Sequence, residues 1–185
     1  MTHDIIWLDT IDSTNNEAKR RFGELGHMSV IAAREQTAGR GQRGKIWLSP
    51  AGLNLTFSIV MKYGNGMLPS IQPVDQSVIN DIISFTIVEL LSRYGIEAWV
   101  KPPNDIYVDK RKICGILIEH SVRGDSLLHS IVGVGLNVNQ REFDGTLPNP
   151  TSIVLESNFK EIDTYVLLEE LLDIFLKHTK EKLTW

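Results

Sequence analysis

Glycines and basic side chains share one short segment, GRGQRGKIW, at residues 39–47. Glycines permit positive φ angles and a close approach of the backbone to a ligand. Arg40, Arg43 and Lys45 concentrate positive charge here, whereas the whole chain has a formal net charge of −4. Because an arginine offers a forked pair of donors to a phosphate group, the segment predicts a loop that closes over an anionic ligand. A solvated basic turn is the alternative that this segment leaves open.

The same segment matches the letters of two phosphate-binding motifs but lacks their structural context. Gly39, Gly41 and Gly44 fit the dinucleotide fingerprint G-x-G-x-x-G, and Gly39, Gly44 and Lys45 come close to a P-loop. Both motifs need a helix directly after the loop, since its N-terminal N–H groups hold the phosphate. The residues that follow, IWLSPAG, are a poor helix start, and the residue after Lys45 carries no hydroxyl for magnesium. We therefore predict neither motif.

A second group of polar residues follows two prolines in KPPNDIYVDKRKICG, residues 101–115. Proline has no N–H to donate to a sheet, and it biases the preceding residue toward extended conformations. The sheet ladder should therefore be interrupted after Lys101, which suits polar side chains that point out of the sheet. A hairpin around DKR should return Lys112 to the region of Asn104 and Asp105. On these residues alone, however, DKRK indicates an exposed charged turn.

Apolar periodicity and turn residues predict the elements that position these groups. The predicted strands are DIIWLDTI, MSVIAAREQ, LNLTFSIVMK, IEAWVK, IYV, KICGILIEHSV and LLHSIVGVGLNVN. The predicted helices are STNNEAKRRFGELG, VDQSVINDIISFTIVELLSRYG and IDTYVLLEELLDIFLKHTKEKL, with loops at GNGMLPSIQP and FDGTLPNPTSI. Several strands follow one another without a helix between them, which favours an α+β fold with a mixed or mostly antiparallel sheet.

Capping residues give the expected helix ends. Thr14 and Glu17 fit a capping box at the start of the first helix, and Gly23 or Gly26 could end it. Gly95 should end the second helix.

Composition excludes several classes of protein. The chain has 185 residues, enough for one domain with a full core. Its mild acidity argues against a general nucleic-acid binder. The single cysteine, Cys114, rules out an internal disulfide and fits a reducing compartment. No signal peptide is evident, and no apolar run reaches the about 18 residues of a membrane span. We therefore expect a soluble cytoplasmic protein that does not associate with membranes.

Four segments in one order carry a resemblance to a known family. They are STN (13–15), EQTAGRGQRGKIW (35–47), KPPND to DKRKICGILIE (101–119) and GVGLNVN (133–139). Together they resemble the catalytic domain of biotin–protein ligase, in the biotin/lipoate ligase superfamily, over most of the chain. The resemblance implies an α+β fold, a mixed sheet flanked by helices and related to the class II aminoacyl-tRNA synthetase core.

The resemblance also implies a reaction in two steps. Biotin and Mg·ATP would give biotinyl-5′-AMP and pyrophosphate, and a lysine of a biotin carboxyl carrier domain would then displace AMP. Mg2+ would arrive with ATP, so no metal ligands are assigned. The partners implied are biotin, ATP and the carrier domain of a carboxylase. Pairing through sheet edges would give a homodimer, and the sequence leaves monomer and dimer open.

Site residues are carried over from the resemblance position by position. The expected biotin contacts are Ser13, Thr14, Asn15, Gln36, Gly39, Arg40, Gly41, Gln42, Lys112, Gly115 and Leu117. The expected nucleotide contacts are Arg40, Arg43, Lys45, Trp47, Asn104 and Asn137, and the expected catalytic residues are Lys112, Arg40 and Asp105.

Elementary chemistry supports these roles. A ring urea needs several fixed polar partners, which the STN residues would supply. The Lys112 ammonium would offset the repulsion between carboxylate and phosphate. Two alternatives remain open: Ser13 or Thr14 could merely cap a helix, and Trp47 could be a core residue. We read Cys114 as a packing residue without a catalytic role.

The chain departs from the family pattern at some positions. Pro102 stands where the family usually has tryptophan, and Gln42 stands where some relatives have arginine. We expect a single catalytic domain over residues 1–185, without the N-terminal helix-turn-helix or the C-terminal SH3-like domain of longer relatives, and therefore no DNA binding. The competing functions are a lipoate or octanoate ligase and a non-catalytic biotin-binding module.

Overall fold

One seven-stranded sheet organises residues 3–64 and 67–183, which are the residues described by this computed structural model. Its strands are β1 (Ile5–Ile11), β2 (Val30–Gln36), β3 (Leu55–Lys62), β4 (Trp99–Lys101), β5 (Asp105–Val108), β6 (Arg111–Arg123) and β7 (Ser126–Leu136). Their order is β1-β2-β3-β7-β6-β5-β4. β1 and β2 are parallel, and every other neighbouring pair is antiparallel. The predicted α+β fold with a mixed sheet is confirmed.

Four α-helices accompany the sheet in the described residues: α1 (Thr14–Arg20), α2 (Ser77–Arg93), α3 (Ile153–Glu156) and α4 (Thr164–Lys182). Short 3-10 turns lie at Gln42–Gly44 and Pro73–Asp75. The predicted helices are present, and α3 is an additional short helix. The predicted loop GNGMLPSIQP includes residues 65 and 66, which lie outside the described residues. No described helix has the length and apolar character that a membrane crossing requires.

Alternation along β3 gives the sheet two different faces. Phe57 and Ile59 point into the main core, which also contains buried residues of α2 and α4. Ser58 and Val60 point to the other face, where Val60 packs with Ala18 of α1. Burial of each large apolar side chain contributes roughly 1.5–3 kcal/mol. Ser58 of β3 pairs with Gly133 of β7, so the polar residue and the glycine lie side by side on this second face of the sheet.

The predicted capping box at the start of α1 is wrong. The N-cap residue is Ser13, and its side chain makes no capping hydrogen bond. The hydroxyl of Thr14 donates instead to Oε1 of Gln36 at 3.2 Å, and the carboxylate of Glu17 binds Arg20. Side chains of the neighbouring strand therefore compete successfully with the helix for the Thr14 hydroxyl.

Glycine ends α2 but not α1. α1 ends at Arg20, before Gly23 and Gly26, so neither glycine is the predicted stop. Gly95 follows the end of α2 with φ +76, and the N–H groups of Gly95 and Ile96 donate to carbonyls of the last turn. This is the left-handed glycine termination that the sequence predicts.

Candidate active site

A cavity of about 370 Å³ lies on the face of the sheet that α1 only partly covers. Its floor is formed by two facing pairs of residues on adjacent strands, Gly115 with Gly135 and Leu117 with Gly133. The structure brings nearly all the sequence-predicted site residues to its walls: Ser13, Thr14, Asn15, Gln36, Arg40, Gly41, Gln42, Arg43, Lys45, Trp47, Asn104, Asp105, Lys112, Gly115, Leu117 and Asn137.

Glycine is required on this floor because other side chains already occupy the space above it. A Cβ atom on Gly133 would lie 2.2 Å from Oδ1 of Asn15. A Cβ atom on Gly135 would lie 2.3 Å from Cε2 of Trp47, and one on Gly115 would lie 2.9 Å from Cζ3 of the same ring. Trp47 thus lies across the floor, at the cavity wall rather than in the core that the alternative interpretation proposed.

Buried polar side chains form a fixed cluster at the Gly133 end of the floor. Ser13, Thr14 and Asn15 are each less than 5% exposed. Oγ of Ser58, also fully buried, lies 2.8 Å from the Thr14 hydroxyl and 2.6 Å from Oδ1 of Asn15. Gln36 accepts a hydrogen bond from the backbone N–H of Thr14 at 2.8 Å. The cluster therefore presents oriented amides and hydroxyls to the cavity, as the prediction for the STN residues requires.

Lys112 and Asp105 form an ion pair at the Gly115 end of the floor. The distance from Nζ of Lys112 to Oδ1 of Asp105 is 2.7 Å, and the two side chains are only 29% and 27% exposed. The ammonium also lies 5.6 Å from the ring centroid of Trp47. The backbone of Lys112 binds the loop after β7, since its N–H donates to Asn149 and its carbonyl accepts from Thr151. The expected hairpin between β5 and β6 does return Lys112 to Asp105.

The turn after the two prolines holds Asn104 against β6. Residues 102–104 form the turn between β4 and β5, which agrees with the predicted interruption of the ladder. The side-chain amide of Asn104 donates to the carbonyl of Ile116, whose N–H donates back to the Asn104 carbonyl at 3.0 Å. Pro102 is exposed and does not line the cavity, whereas Pro103 does.

Asn137 joins β7 to the loop that forms the opposite wall. It is 4% exposed, and its side-chain amide donates to the carbonyl of Thr151 at 2.8 Å. This wall, which the sequence did not predict, is lined by Phe143, Leu147, Pro148 and Pro150. Loop residues without periodicity carry no signal that would have identified them.

The glycine-rich segment folds as a closed loop rather than as a helix entrance. The N–H of Trp47 donates to the carbonyl of Gly39, and the N–H of Gly41 donates to the carbonyl of Lys45. No helix occurs in residues 45–54, which confirms the rejection of both phosphate motifs. Gly39 is the one predicted site residue that does not line the cavity. A Cβ atom there would lie 2.3 Å from the carbonyl oxygen of Trp47, so Gly39 closes the base of the loop.

The guanidinium of Arg40 is bound by Glu119, a residue that sequence analysis did not select. The two make hydrogen bonds of 3.0 and 3.2 Å, and Arg40 also donates to Asn16 at 2.9 Å. The Glu119 carboxylate accepts further bonds from Asn15 at 2.9 Å and from Lys19 at 2.7 Å. Burial acts to raise the pKa of Glu119, but these hydrogen bonds outweigh it and lower the pKa. Glu119 is therefore an anion at neutral pH.

Simple alternation could have identified several of the missed residues. In β6, residues 115, 117 and 119 point to one face, so Glu119 follows the two predicted floor residues. In β7, Gly133 and Gly135 have the same spacing of two and pair with Leu117 and Gly115. Cys114 has the opposite orientation and is buried in the main core, where burial raises the pKa of its thiol.

Comparisons with known proteins relate this chain to one family. A model of the family described as biotin/lipoate A/B protein ligase matches residues 7–137. The chain is 32% identical over 166 residues to the bifunctional ligase/repressor BirA of Escherichia coli, covering 89% of this chain and 50% of that protein. It is 34% identical over 127 residues to the biotin–[acetyl-CoA-carboxylase] ligase of Paracoccus denitrificans, covering 69% and 51%. This chain thus spans about half the length of these curated relatives.

Solved structures show the same fold. The biotin protein ligase from Aquifex aeolicus, in complex with biotin and ATP, superimposes with a TM-score of 0.78 at 28% sequence identity. That comparison covers 98% of this chain and 72% of the other. A biotin protein ligase-like protein of unknown function from Silicibacter has a TM-score of 0.70 at 12% identity, which indicates a shared fold only.

Proposed function

This chain belongs to the biotin/lipoate A/B protein ligase family, and we propose that it is a biotin–protein ligase. It would activate biotin with ATP as biotinyl-5′-AMP and transfer the biotinyl group to a lysine of a biotin carboxyl carrier domain. One observation carries the proposal: a single cavity joins a buried, oriented polar cluster to a lysine–aspartate pair across a glycine floor.

The polar cluster suits the ureido ring of biotin. A ring urea has two N–H donors and one carbonyl acceptor, so it needs partners of both kinds held in place. Thr14, Asn15 and Gln36 offer a hydroxyl and amides that are already hydrogen-bonded to one another or to Ser58, and the buried Ser13 lines the same cavity. An aliphatic lipoyl or octanoyl chain has no group that would use such a cluster. The floor residue Gly133 leaves room for the Asn15 side chain of this cluster to lie directly over the sheet.

Lys112 is assigned to the activation step. In this step a carboxylate oxygen of biotin attacks the α-phosphorus of ATP, an O–P bond forms, and the bond to the pyrophosphate leaving group breaks. Two anions must approach each other, and a fixed ammonium offsets their repulsion and the charge that develops. The ion pair with Asp105 holds the Lys112 ammonium at the cavity wall. A similar ligase from Aquifex aeolicus binds both biotin and ATP.

Magnesium enters this scheme as part of the Mg·ATP substrate. Within residues 3–64 and 67–183, no group of three or more His, Cys, Asp or Glu side chains is arranged to hold a metal ion. Mg2+ commonly binds one or two protein carboxylates together with substrate phosphates and water. Asp105 is a carboxylate that could act in this way, in addition to holding Lys112.

The remaining predicted nucleotide residues lie on two walls of the cavity. Trp47 offers a ring face for the adenine, and Arg43 and Lys45, both exposed on the loop, supply positive charge for the phosphates. Asn137 also lines the cavity, and one N–H of its side-chain amide is donated to Thr151, so its amide oxygen and its second N–H are left to contact the base. A direct role of Arg40 in catalysis stays a prediction, because its guanidinium is bound to Glu119.

Transfer completes the reaction. The ε-amine of the carrier lysine attacks the carbonyl carbon of the mixed anhydride, forming an amide and releasing AMP. The exposed apolar residues Ile46 and Leu48 lie at the cavity rim, where the carrier domain would approach.

The test is exchange of labelled pyrophosphate into ATP, measured separately with biotin, lipoate and octanoate. This assay reports the activation step and needs no carrier. We expect exchange with biotin only, followed by biotinylation when a carrier domain is added. Exchange with lipoate or octanoate but not with biotin would refute the proposed substrate. Biotin binding without any exchange would favour a non-catalytic binding module.

A further inference from the structure

We propose that Glu119 is a positioning residue of this site. Its carboxylate orients the side-chain amide of Asn15 and holds the glycine-rich loop, residues 39–47, against the sheet through Arg40. The inference about Asn15 rests on the proposed binding of biotin, whereas the inference about the loop does not.

The first argument concerns the orientation of Asn15. Its side chain is almost fully buried, and its N–H2 group donates to Oε2 of Glu119 at 2.9 Å and to the carbonyl of Leu117 at 3.3 Å. Its oxygen lies 2.6 Å from Oγ of Ser58. A side-chain amide can rotate so that its nitrogen and oxygen exchange positions, unless its neighbours accept only one of the two orientations. Glu119 accepts only, so it requires the nitrogen on its own side and leaves the amide oxygen facing Ser58 and the floor.

The second argument concerns the loop. Arg40 is its only side chain in the described structure with hydrogen bonds to another side chain, and the partners are Glu119 on β6 and Asn16 on α1. The remaining cations of the loop, Arg43 and Lys45, are exposed. The bonds between Arg40 and Glu119 involve both carboxylate oxygens, an arrangement stronger than a single exposed contact. They therefore connect the loop directly to the strand that carries the floor.

The charge of Glu119 is necessary for both effects. Its side chain is 22% exposed and faces two cations, Arg40 and Lys19, as well as the Asn15 amide. A neutral glutamine at position 119 would carry an N–H2 group in place of one carboxylate oxygen. This group would face Arg40, Lys19 or the Asn15 amide, which are all donors, so one of these hydrogen bonds would be lost. The substitution Glu119→Gln should thus weaken the contact to the loop and the orientation of Asn15 while retaining the size of the side chain.

Limited trypsin digestion without ligand tests the loop, since it requires no activity. Cleavage after Arg43 and Lys45, followed by mass spectrometry, reports how often the loop leaves the sheet. We expect Glu119→Gln to increase this cleavage rate about twofold to fivefold, in the range set by partly exposed ion pairs. Arg40→Gln should produce a similar increase, and the double variant should add little to either single change. An unchanged rate in Glu119→Gln would refute the role in holding the loop.

Two matched variants separate this effect from a general loss of stability. Lys19→Gln removes another cation from the same carboxylate but not from the loop, so its cleavage rate should equal that of the unmodified protein. Glu89→Gln neutralises a carboxylate of α2 that also binds two cations and a histidine but does not line the cavity. It should likewise leave the rate unchanged. An increase in both controls equal to that in Glu119→Gln would overturn the proposal.

Kinetics with biotin test the orientation of Asn15. In the exchange assay, Glu119→Gln should raise KM for biotin about tenfold or more, because a buried amide would present the wrong atom. A merely destabilised enzyme would lose kcat through its folded fraction and keep KM. An unchanged KM would refute the role toward Asn15. If the unmodified protein neither binds biotin nor supports exchange, the proposed function fails, and the digestion still decides whether Glu119 holds the loop.

Discussion

Replacing Lys112 by alanine should abolish most of the adenylation activity and leave biotin binding largely intact. The ammonium is held 2.7 Å from Asp105, and about seven-tenths of the surface of each side chain is covered. A preorganised group of this kind typically contributes about 3 to 4 kcal/mol to the transition state when water is excluded. Because the pair is partly exposed, we expect the lower end of this range, which corresponds to roughly a hundredfold loss of kcat.

The fold should tolerate the substitution. A partly exposed ion pair contributes up to about 1 kcal/mol to stability, so the loss of rate cannot come from unfolding. Lys101→Ala is the matched control, since Lys101 belongs to the same segment but does not line the cavity, and its ammonium lies at the ring and hydroxyl of Tyr107. The assay is biotin-dependent pyrophosphate exchange, combined with calorimetric titration of biotin. Normal exchange in Lys112→Ala, or an equal loss in Lys101→Ala, would refute the assigned role of Lys112.

Three further predictions concern the floor, the core and the pH dependence of stability. Gly133→Ala should weaken biotin binding at least about tenfold in titration, because its Cβ would displace Asn15, whereas Gly145→Ala, with open space around it, should bind normally. Cys114→Ser should keep the exchange activity of the folded enzyme, since the thiol is buried outside the cavity; a selective loss of kcat would contradict this. Burial lowers the pKa of His120, so the unfolded chain binds more protons just below pH 6.5. The free energy of unfolding, measured in urea, should therefore fall on acidification from pH 7.5. This group contributes at most about 1.4 kcal/mol per pH unit to the fall, and the fall should be less steep in His120→Gln.

Local sequence patterns were sufficient to predict the strands and the helices α1, α2 and α4. Strict alternation in LNLTFSIVMK gave β3 its two faces, and the apolar period of residues 77–93 gave a helix that ends before a left-handed glycine. These features depend on the residues themselves and on neighbours within a few positions. The four motifs, taken together, also predicted which segments would meet, and the cavity brings together all of their selected residues except Gly39.

Side-chain contacts between residues distant in the sequence account for the roles that were predicted wrongly or not predicted at all. Thr14 fits a helix cap by its spacing, but Gln36 and Ser58 lie close enough in the fold to take its hydroxyl. The sequence predicts that Arg40 is a free cation available to a phosphate group. In the fold, Arg40 is bound by Glu119, which lies 79 positions away in the chain.

The difference has a physical cause. Hydrophobic alternation and backbone conformation are properties of short segments, so the sequence alone determined which strands and helices form and which of their faces are buried. A hydrogen bond between side chains depends on angstrom-level proximity, and only the packing of β3, β6 and α1 brings Ser58, Glu119 and Asn15 together. The tertiary structure therefore decided how the side chains of the cavity are oriented and which of them hold the others in place.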